Sequence, residues 1–188
     1  MEDLLRQLTE MHGPSGEENK VCSFIRNLIK DRVDQVFEDH MGNLYAIKNG
    51  PDPKIMVSAH MDEIGVIVTG IDERGFLRLA PVGGVSPRLL IGQRIIFTNG
   101  VRGTVYHEKL KELNELDWQK LYADLGQNSK EKIEALVEVG DLATLDQPFT
   151  ALPGGRYLSK AMDDRAGCAV MIQTIFNLPE KLPQSVCF

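Results

Sequence analysis

The sequence SAHMDEIG at residues 58–65, directly after the apolar run IMV at 55–57, is the most informative part of this chain. The apolar run predicts a buried strand over residues 55–59. Because side chains alternate along a strand, His60 and Asp62 are predicted to project from the same face. A carboxylate beside a metal-binding histidine fixes the tautomer of the imidazole and raises its basicity. The stretch therefore predicts a metal ligand with its supporting carboxylate.

The composition is that of an ordinary globular protein. The 188 residues are 43% hydrophobic and 26% charged, with a formal net charge of −6. This charge argues against a nucleic-acid partner, and no apolar run reaches the ~18 residues of a membrane span. The acidic, amphipathic N-terminus does not resemble a signal peptide. Three widely spaced cysteines favour reduced thiols and hence a cytoplasmic location.

Residues 1–65 carry the pattern of an opening α/β domain. An apolar stripe over residues 3–11 predicts a first helix. Ser15 and Glu18 have the spacing of a capping box, which predicts a second helix beginning there and running to Lys30. Three strands are then predicted, separated by turns rich in Gly, Pro, Asn and Asp, at residues 33–37, 44–48 and 55–59.

The pattern changes after residue 65 and returns after residue 150. Residues 66–150 contain short strand-like runs with glycine-rich turns, which predict an inserted small β barrel or sandwich. Residues 151–188 resume the α/β pattern, with a helix starting near Asp163 and a buried strand opening at residues 185–188. The predicted fold class is therefore α/β, interrupted by a small β domain.

Asp163 is the second candidate metal ligand. It is predicted at a helix N-terminus, where the helix dipole favours an anion. Histidines and carboxylates at such positions are typical of hydrolytic zinc or cobalt sites. The alternative for Asp163 and His60 is a buried, hydrogen-bonded side chain without a metal; Asp62 could be a turn residue and Arg165 an ion-pair partner. Solvated side chains are predicted for the remaining histidines, His12, His40 and His107.

Six short motifs, taken in order, resemble the TET-type (glutamyl/leucyl) metallo-aminopeptidases. They are GPSGEE at 13–18, AHMDEIG at 59–65, GG at 83–84, DLG at 124–126 with SKE at 129–131, VGD at 139–141, and KAMDDRAG at 160–167. The resemblance implies a mixed-sheet, co-catalytic metallopeptidase domain formed by residues 1–65 and 151–188. Residues 66–150 would be its inserted, β-rich dimerisation domain.

The resemblance also implies roles for individual residues. His60 would bind one of two divalent metal ions, zinc or cobalt, and Asp62 would orient His60. Asp163 would bridge both metals, with Asp164 the less favoured ligand. The implied activity is hydrolysis of the N-terminal residue from a peptide. The implied partners are copies of the chain itself, which would pair through the inserted domain within hollow twelve-subunit particles.

The chain also departs from the family pattern. Relatives continue after a strand like residues 185–188 with a Glu-Glu pair that provides the general base and a metal ligand, followed by a further carboxylate and a histidine. We therefore expect a truncated, catalytically incomplete form with partial or no metal occupancy and an unpaired sheet edge at Phe188. Residues 106–117 lack the Pro- and His-containing stretch expected there.

Two other functions are compatible with the sequence. The chain could be a non-catalytic fragment or an assembly module that uses the inserted β domain. The second alternative is a hydrolase that acts on another substrate, by deacylation or by glycoside hydrolysis. Of these, a glycosidase is disfavoured because it needs two carboxylates flanking the scissile bond, whereas the His-x-Asp motif indicates a metallohydrolase. The sequence determines neither the preferred N-terminal residue of a substrate nor the identity of the metal.

Overall fold

The chain folds into two compact units with separate hydrophobic cores. The computed structural model describes the backbone of residues 1–188 and every side chain except that of Leu113. One unit consists of residues 1–62 and 149–188, and the other of residues 63–148. The first is called the α/β unit below and the second the barrel unit.

The α/β unit is built from helices and a mixed sheet. Over the described backbone its helices are α1 (Glu2–Glu10), α2 (Asn19–Ile29) and α5 (Met162–Asn177). The sheet contains β1 (Gln35–Glu38), β2 (Leu44–Lys48), β3 (Ile55–Met56) and β12 (Val186–Cys187), and a separate hairpin is formed by β10 (Thr150–Leu152) and β11 (Arg156–Leu158).

The sheet brings the two ends of the α/β unit together. Its strand order is β1-β2-β12-β3, with β12 antiparallel to β2 and parallel to β3. The apolar faces of the three helices pack into one core with residues of the sheet, as their i, i+3, i+4 spacing predicts. The buried members of this core include Leu5, Leu8, Val21, Ile25, Ile29, Ala46, Cys168, Ile172, Ile175 and Phe188.

Two predictions about the sheet were wrong. Ile55, Met56 and Val57 are exposed rather than buried, and the strand ends at Met56. These residues are exposed because β3 is an edge strand of the sheet and pairs with β12 on one side. Phe188, by contrast, is buried and exchanges two 2.8 Å backbone hydrogen bonds with Ala46, so the predicted unpaired edge does not lie at Phe188.

The predicted capping box at the start of the second helix was also wrong. The helix α2 begins at Asn19, and its N-cap Glu18 makes no side-chain capping bond. The Glu18 carboxylate instead accepts from the backbone N–H of Gly16 at 2.8 Å. The Ser15 hydroxyl is used elsewhere, as described below.

The barrel unit is a closed six-stranded barrel, which fulfils the prediction of a small inserted β fold. Its strands are β4 (Gly65–Ile71), β5 (Leu77–Val82), β6 (Arg94–Phe97), β7 (Arg102–His107), β8 (Leu121–Asp124) and β9 (Leu142–Leu145), joined in the order β4-β5-β8-β7-β6-β9. Short helices lie at α3 (Pro87–Leu90) and α4 (Lys130–Glu134), with 3-10 turns at Leu113–Glu115 and Trp118–Lys120.

Alternation along the strands explains why these residues form a barrel. In β5, Leu77 and Leu79 are buried while Arg78 between them is partly exposed. In β6, Ile95 and Phe97 are buried and Arg94 is exposed. A period of two places one apolar set inside a closed sheet and the polar set outside. Among the described residues, the helices are too short or too polar to span a bilayer.

Candidate metal centre

His60 lies in the irregular segment that follows β3. Its ring Nδ1 is 2.8 Å from Oδ1 of Asp62. The sequence predicted this pairing from the alternation of a strand, but the strand ends four residues before His60. An extended chain still projects residues i and i+2 to one side, so the two side chains meet beyond the end of the regular strand.

Asp62 is held by a second hydrogen bond. The hydroxyl of Ser15 donates to Oδ2 of Asp62, so the two carboxylate oxygens have separate partners. The sequence motif that contains Ser15 was noted as a family feature, but its hydroxyl was interpreted as a helix cap. The contact joins residues 47 positions apart, and no local pattern predicts it.

The carboxylate of Asp163 contacts the second ring nitrogen of His60. Its Oδ1 lies 3.0 Å from Nε2 of His60, although 103 residues separate the two in the chain. The side chains of His60 and Asp163 are 56% and 96% exposed. A nitrogen and an oxygen donor therefore face each other at an accessible place on the α/β unit.

The predicted helix N-terminus at Asp163 needs a correction. The backbone angles of Asp163 and Asp164 are not helical, so the regular part of α5 begins at Arg165. Asp164 is the capping residue, since its Oδ1 accepts the backbone N–H of Gly167 at 3.0 Å, three residues on. This leaves the side chain of Asp163 facing His60, and Asp164 points to the helix instead.

The hydrogen bonds at this site shift two pKa values. Burial alone would lower the pKa of His60, but its hydrogen bonds to Asp163 and Asp62 outweigh burial and raise it above the ordinary value of 6.5. Burial would raise the pKa of Asp62, but the hydrogen bonds from Ser15 and His60 outweigh it and lower the pKa. An imidazole between two carboxylates donates from both nitrogens only when it is protonated, which is why its charged form is favoured.

Two buried residues near the site were not predicted to take part. Cys168 on α5 donates its thiol to the backbone carbonyl of His60 at 3.3 Å. Burial, with the charge of Asp164 adding to it, raises the pKa of this thiol to about 11. Arg165 donates to the carbonyl of Met61, which lies between His60 and Asp62. The signal available in the sequence was that both residues fall within five positions of Asp163.

The remaining histidines are only partly as predicted. His40 is exposed, in line with the prediction. The side chain of His12 is only 12% exposed and lies 3.6 Å from Glu17, and burial is the main cause of its lowered pKa. The ring of His107 is half-buried, with Nδ1 2.7 Å from the carbonyl of Glu108. The polar sequences around His12 and His107 concealed this packing.

An apolar cavity of about 430 Å³ opens beside the site within the α/β unit. His60 and Asp62 contribute its polar wall. The apolar wall is formed mainly by side chains of α2, α5 and the sheet, including Ile25, Ile29, Met171, Ile172 and Phe188. The imidazole of His60 therefore lies at the border of an apolar recess.

The donor atoms fit part of a metal site. Imidazole nitrogen and carboxylate oxygen are common ligands of zinc, at about 2.0–2.2 Å. Two such donors in tetrahedral coordination lie about 3.3 Å apart, close to the 3.0 Å between His60 and Asp163. Among the side chains that the structure describes, no group of three or more His, Cys, Asp or Glu residues surrounds a common point.

Comparison with known proteins places the chain in a family. The model of the M42 glutamyl aminopeptidase family matches residues 42–188, and the chain belongs to this family. A putative aminopeptidase of Acetivibrio thermocellus is 47% identical over 179 residues, which cover 95% of this chain and 54% of that protein. The chain therefore spans about half the length of this relative.

Solved structures agree with this placement. An aminopeptidase, APDkam598, from the archaeon Desulfurococcus kamchatkensis superposes with a TM-score of 0.92 at 35% identity, covering 99% of this chain and 54% of that one. The TET1 peptidase of Pyrococcus horikoshii, described as assembling into a tetrahedron or a large octahedral shell, superposes with a TM-score of 0.87 at 33% identity. This superposition covers 99% of this chain and 59% of the TET1 peptidase chain.

Proposed function

We propose that this chain provides part of the divalent metal centre of an aminopeptidase that removes N-terminal residues from peptides. In this proposal His60 and Asp163 are metal ligands and Asp62 orients His60. Membership of the M42 glutamyl aminopeptidase family supports the reaction class. The accessible arrangement of the three side chains supports their roles.

The distance between His60 and Asp163 carries the proposal. Nε2 and Oδ1 are 3.0 Å apart and share a hydrogen bond. A divalent cation that takes the place of this proton would have one nitrogen and one oxygen ligand after a movement of a few tenths of an ångström. A buried, purely structural hydrogen bond is the alternative, but both side chains are largely exposed.

Each side chain has a distinct task in this arrangement. Asp62 accepts from Nδ1 of His60, so the lone pair of Nε2 is directed toward Asp163. Ser15 holds the second oxygen of Asp62, which prevents the carboxylate from rotating away from the ring. A divalent cation bound there would polarise the carbonyl of the scissile peptide bond and lower the pKa of a water molecule.

The proposed cofactor is a pair of zinc or cobalt ions, and Asp163 would help to hold both. Two ligands do not complete a tetrahedral site, and the described side chains contain no cluster of three. Further ligands and a general base must therefore come from groups outside this cluster. We accordingly propose partial metal occupancy for this chain by itself. We also propose a cytoplasmic location, which is compatible with its free cysteines.

The test combines metal binding with peptidase activity. The chain and its His60→Ala variant are titrated with Co²⁺ and Zn²⁺ and assayed on a panel of aminoacyl chromogenic substrates. Metal binding that His60→Ala weakens supports the ligand assignment, and metal-dependent turnover lost in the same variant supports the activity. Turnover that survives both chelation and His60→Ala contradicts the proposal.

A second candidate function is self-association through the barrel unit. Leu89 and Val139 are apolar residues of that unit that are 69% and 59% exposed, and pairing of copies that covers them would remove apolar surface from water. The assembly described for the TET1 peptidase of Pyrococcus horikoshii adds support. Light scattering after size exclusion tests it. A defined oligomer that Leu89→Glu dissociates supports the barrel interface, and an unchanged size in this variant contradicts it.

A further inference from the structure

Arg165 is a buried cation placed among main-chain carbonyls. It is fully buried, with no measurable exposure. Its Nε donates to the carbonyl of Met61 at 2.9 Å, and its Nη2 to that of Gly13 at 3.1 Å. Its Nη1 donates to Leu8 at 2.7 Å and also to Met11. A charge removed from water is tolerated only when such bonds compensate it.

These carbonyls belong to the segments that carry the candidate metal centre. Met61 separates His60 from Asp62 in the chain. Met11 and Gly13 lie in the loop that leads to Ser15, the residue that donates to Asp62. Arg165 itself follows Asp163 by two positions. One guanidinium therefore connects the three segments that provide His60 with Asp62, the supporting hydroxyl of Ser15, and Asp163.

The packing around the guanidinium leaves no spare room. A Cβ at Gly13 would lie 2.9 Å from Nη2 of Arg165 and 2.8 Å from Cγ2 of Val21. Glycine at this position thus allows the loop to approach the guanidinium closely enough for its carbonyl to accept a hydrogen bond. The loop therefore packs closely against the guanidinium of Arg165 at Gly13.

We propose that Arg165 is a positioning residue. Its planar guanidinium binds the carbonyls of Met61, Met11 and Gly13 and thereby sets the spacing of His60 and Asp163. Its described donor bonds go to main-chain carbonyls, so it acts through the positions of other residues and is not a catalytic residue. The inference rests on the proposed function, because the spacing matters for chemistry only if the two side chains share a metal.

Lysine is the informative substitution. Arg165→Lys keeps the charge but replaces a planar fork of five donors by a compact ammonium with three, which cannot reach the carbonyls of residues 8–13 and of Met61 together. The matched control is Arg26→Lys, in the same unit, where the arginine pairs with Glu38 at the surface. If Arg165→Lys does not fold, Gly13→Ala perturbs the same contact while retaining the arginine.

The experiment measures amide hydrogen exchange in the metal-free full chain and Co²⁺ affinity well below the unfolding temperature. For Arg165→Lys we expect exchange at residues 11–16 and 58–62 to accelerate at least tenfold, while amides of the barrel unit and of β2 stay unchanged. We expect Co²⁺ affinity to fall by about 10-fold to 100-fold, the usual effect of removing a group that orients a ligand. Arg26→Lys should change neither quantity.

The two proposals fail in different ways. Unchanged exchange in both segments of a folded Arg165→Lys chain overturns the positioning role, whatever the metal result. Exchange that accelerates uniformly over the α/β unit also overturns it, since that is the signature of a general loss of stability. Absence of Co²⁺ binding by the unsubstituted chain overturns the proposed function instead, and the exchange data remain interpretable without metal.

Discussion

Nε2 of His60 and Oδ1 of Asp163 lie 3.0 Å apart, and the two residues come from segments separated by 103 positions. The entire barrel unit, residues 63–148, is inserted between them. The α/β unit nevertheless brings both segments to one place, because the start of α5, whose inner face packs into the core, carries one and the segment after β3 carries the other. This contact is the structural basis of the proposed metal centre.

Removing the charge of Asp62 should weaken metal binding without unfolding the chain. Asp62→Asn loses the anionic acceptor of His60 Nδ1, so the imidazole becomes less basic and less well oriented. We expect Co²⁺ affinity to fall by about 10-fold to 100-fold. Asp31→Asn, an exposed change in the same unit, is the control. Equal affinities of the two variants would show that Asp62 does not act on the metal.

Metal affinity should depend on pH through His60. A protonated imidazole is not a ligand, and the pKa of His60 is raised because its carboxylate hydrogen bonds outweigh burial. On acidification, the affinity for Co²⁺ should therefore begin to decline at a higher pH than it would with an ordinary histidine, whose pKa is 6.5. A titration of the His60 ring protons by NMR gives the pKa directly. A value below 6.5 would contradict the geometry described here.

The metal-free chain should show the opposite trend from the same group. The pKa of His60 is raised in the folded state. The protonated ring therefore stabilises the folded state at pH values below the unfolded-state pKa, which is near 6.5. This contribution is lost as the pH rises through the raised pKa. Comparing the unfolding of the parent chain with that of His60→Ala at two pH values isolates the contribution of His60.

The sequence predicted the barrel and the His60 pairing well for a common reason. Both depend on alternation between neighbouring residues, which is local and visible in the order of side chains. The failures at Ser15 and Ile55 involve distant partners. Ser15 looked like a helix cap but bonds Asp62, 47 positions away, and Ile55 looked buried but lies on the last strand of its sheet.

Arg165 shows the same limit at the candidate site. Its neighbours in sequence suggested an ion pair, whereas its observed partners include carbonyls of residues 8, 11, 13 and 61. Backbone carbonyls carry no side-chain signature, so no motif identifies them as acceptors. Asp164 was separated from Asp163 only by the resemblance. In the structure the carboxylate of Asp164 accepts from Gly167, whereas that of Asp163 faces His60.

Truncating the barrel core should destabilise the barrel unit strongly. Leu77→Ala removes a fully buried side chain and should cost about 2–5 kcal/mol of unfolding free energy. Lys109→Ala, at an exposed position of the same unit, should change it by less than about 0.5 kcal/mol. The single tryptophan, Trp118, packs against this core, so its fluorescence in a urea titration reports the unit directly. Similar midpoints for both variants would refute the assigned core.

Cys168 should be chemically inert in the folded chain. Its thiol is buried, donates to the carbonyl of His60, and has its pKa raised to about 11, mainly by burial. The thiolate is the reactive species, so alkylation by iodoacetamide near neutral pH should be slow until the chain unfolds. Mass spectrometry of the native and urea-treated chain measures this. Rapid native labelling at residue 168 would show that the core of the α/β unit does not cover the thiol.

The most direct test of the central claim is a Co²⁺ titration, followed by absorption spectroscopy, of the unsubstituted chain beside its His60→Ala and Asp163→Asn variants. We predict that the unsubstituted chain binds Co²⁺ and that each substitution alone weakens binding by at least tenfold. We further predict that combining them weakens it little more, because either change already dismantles the shared site. Affinities that do not change in the single variants would contradict the assignment of His60 and Asp163 as joint ligands.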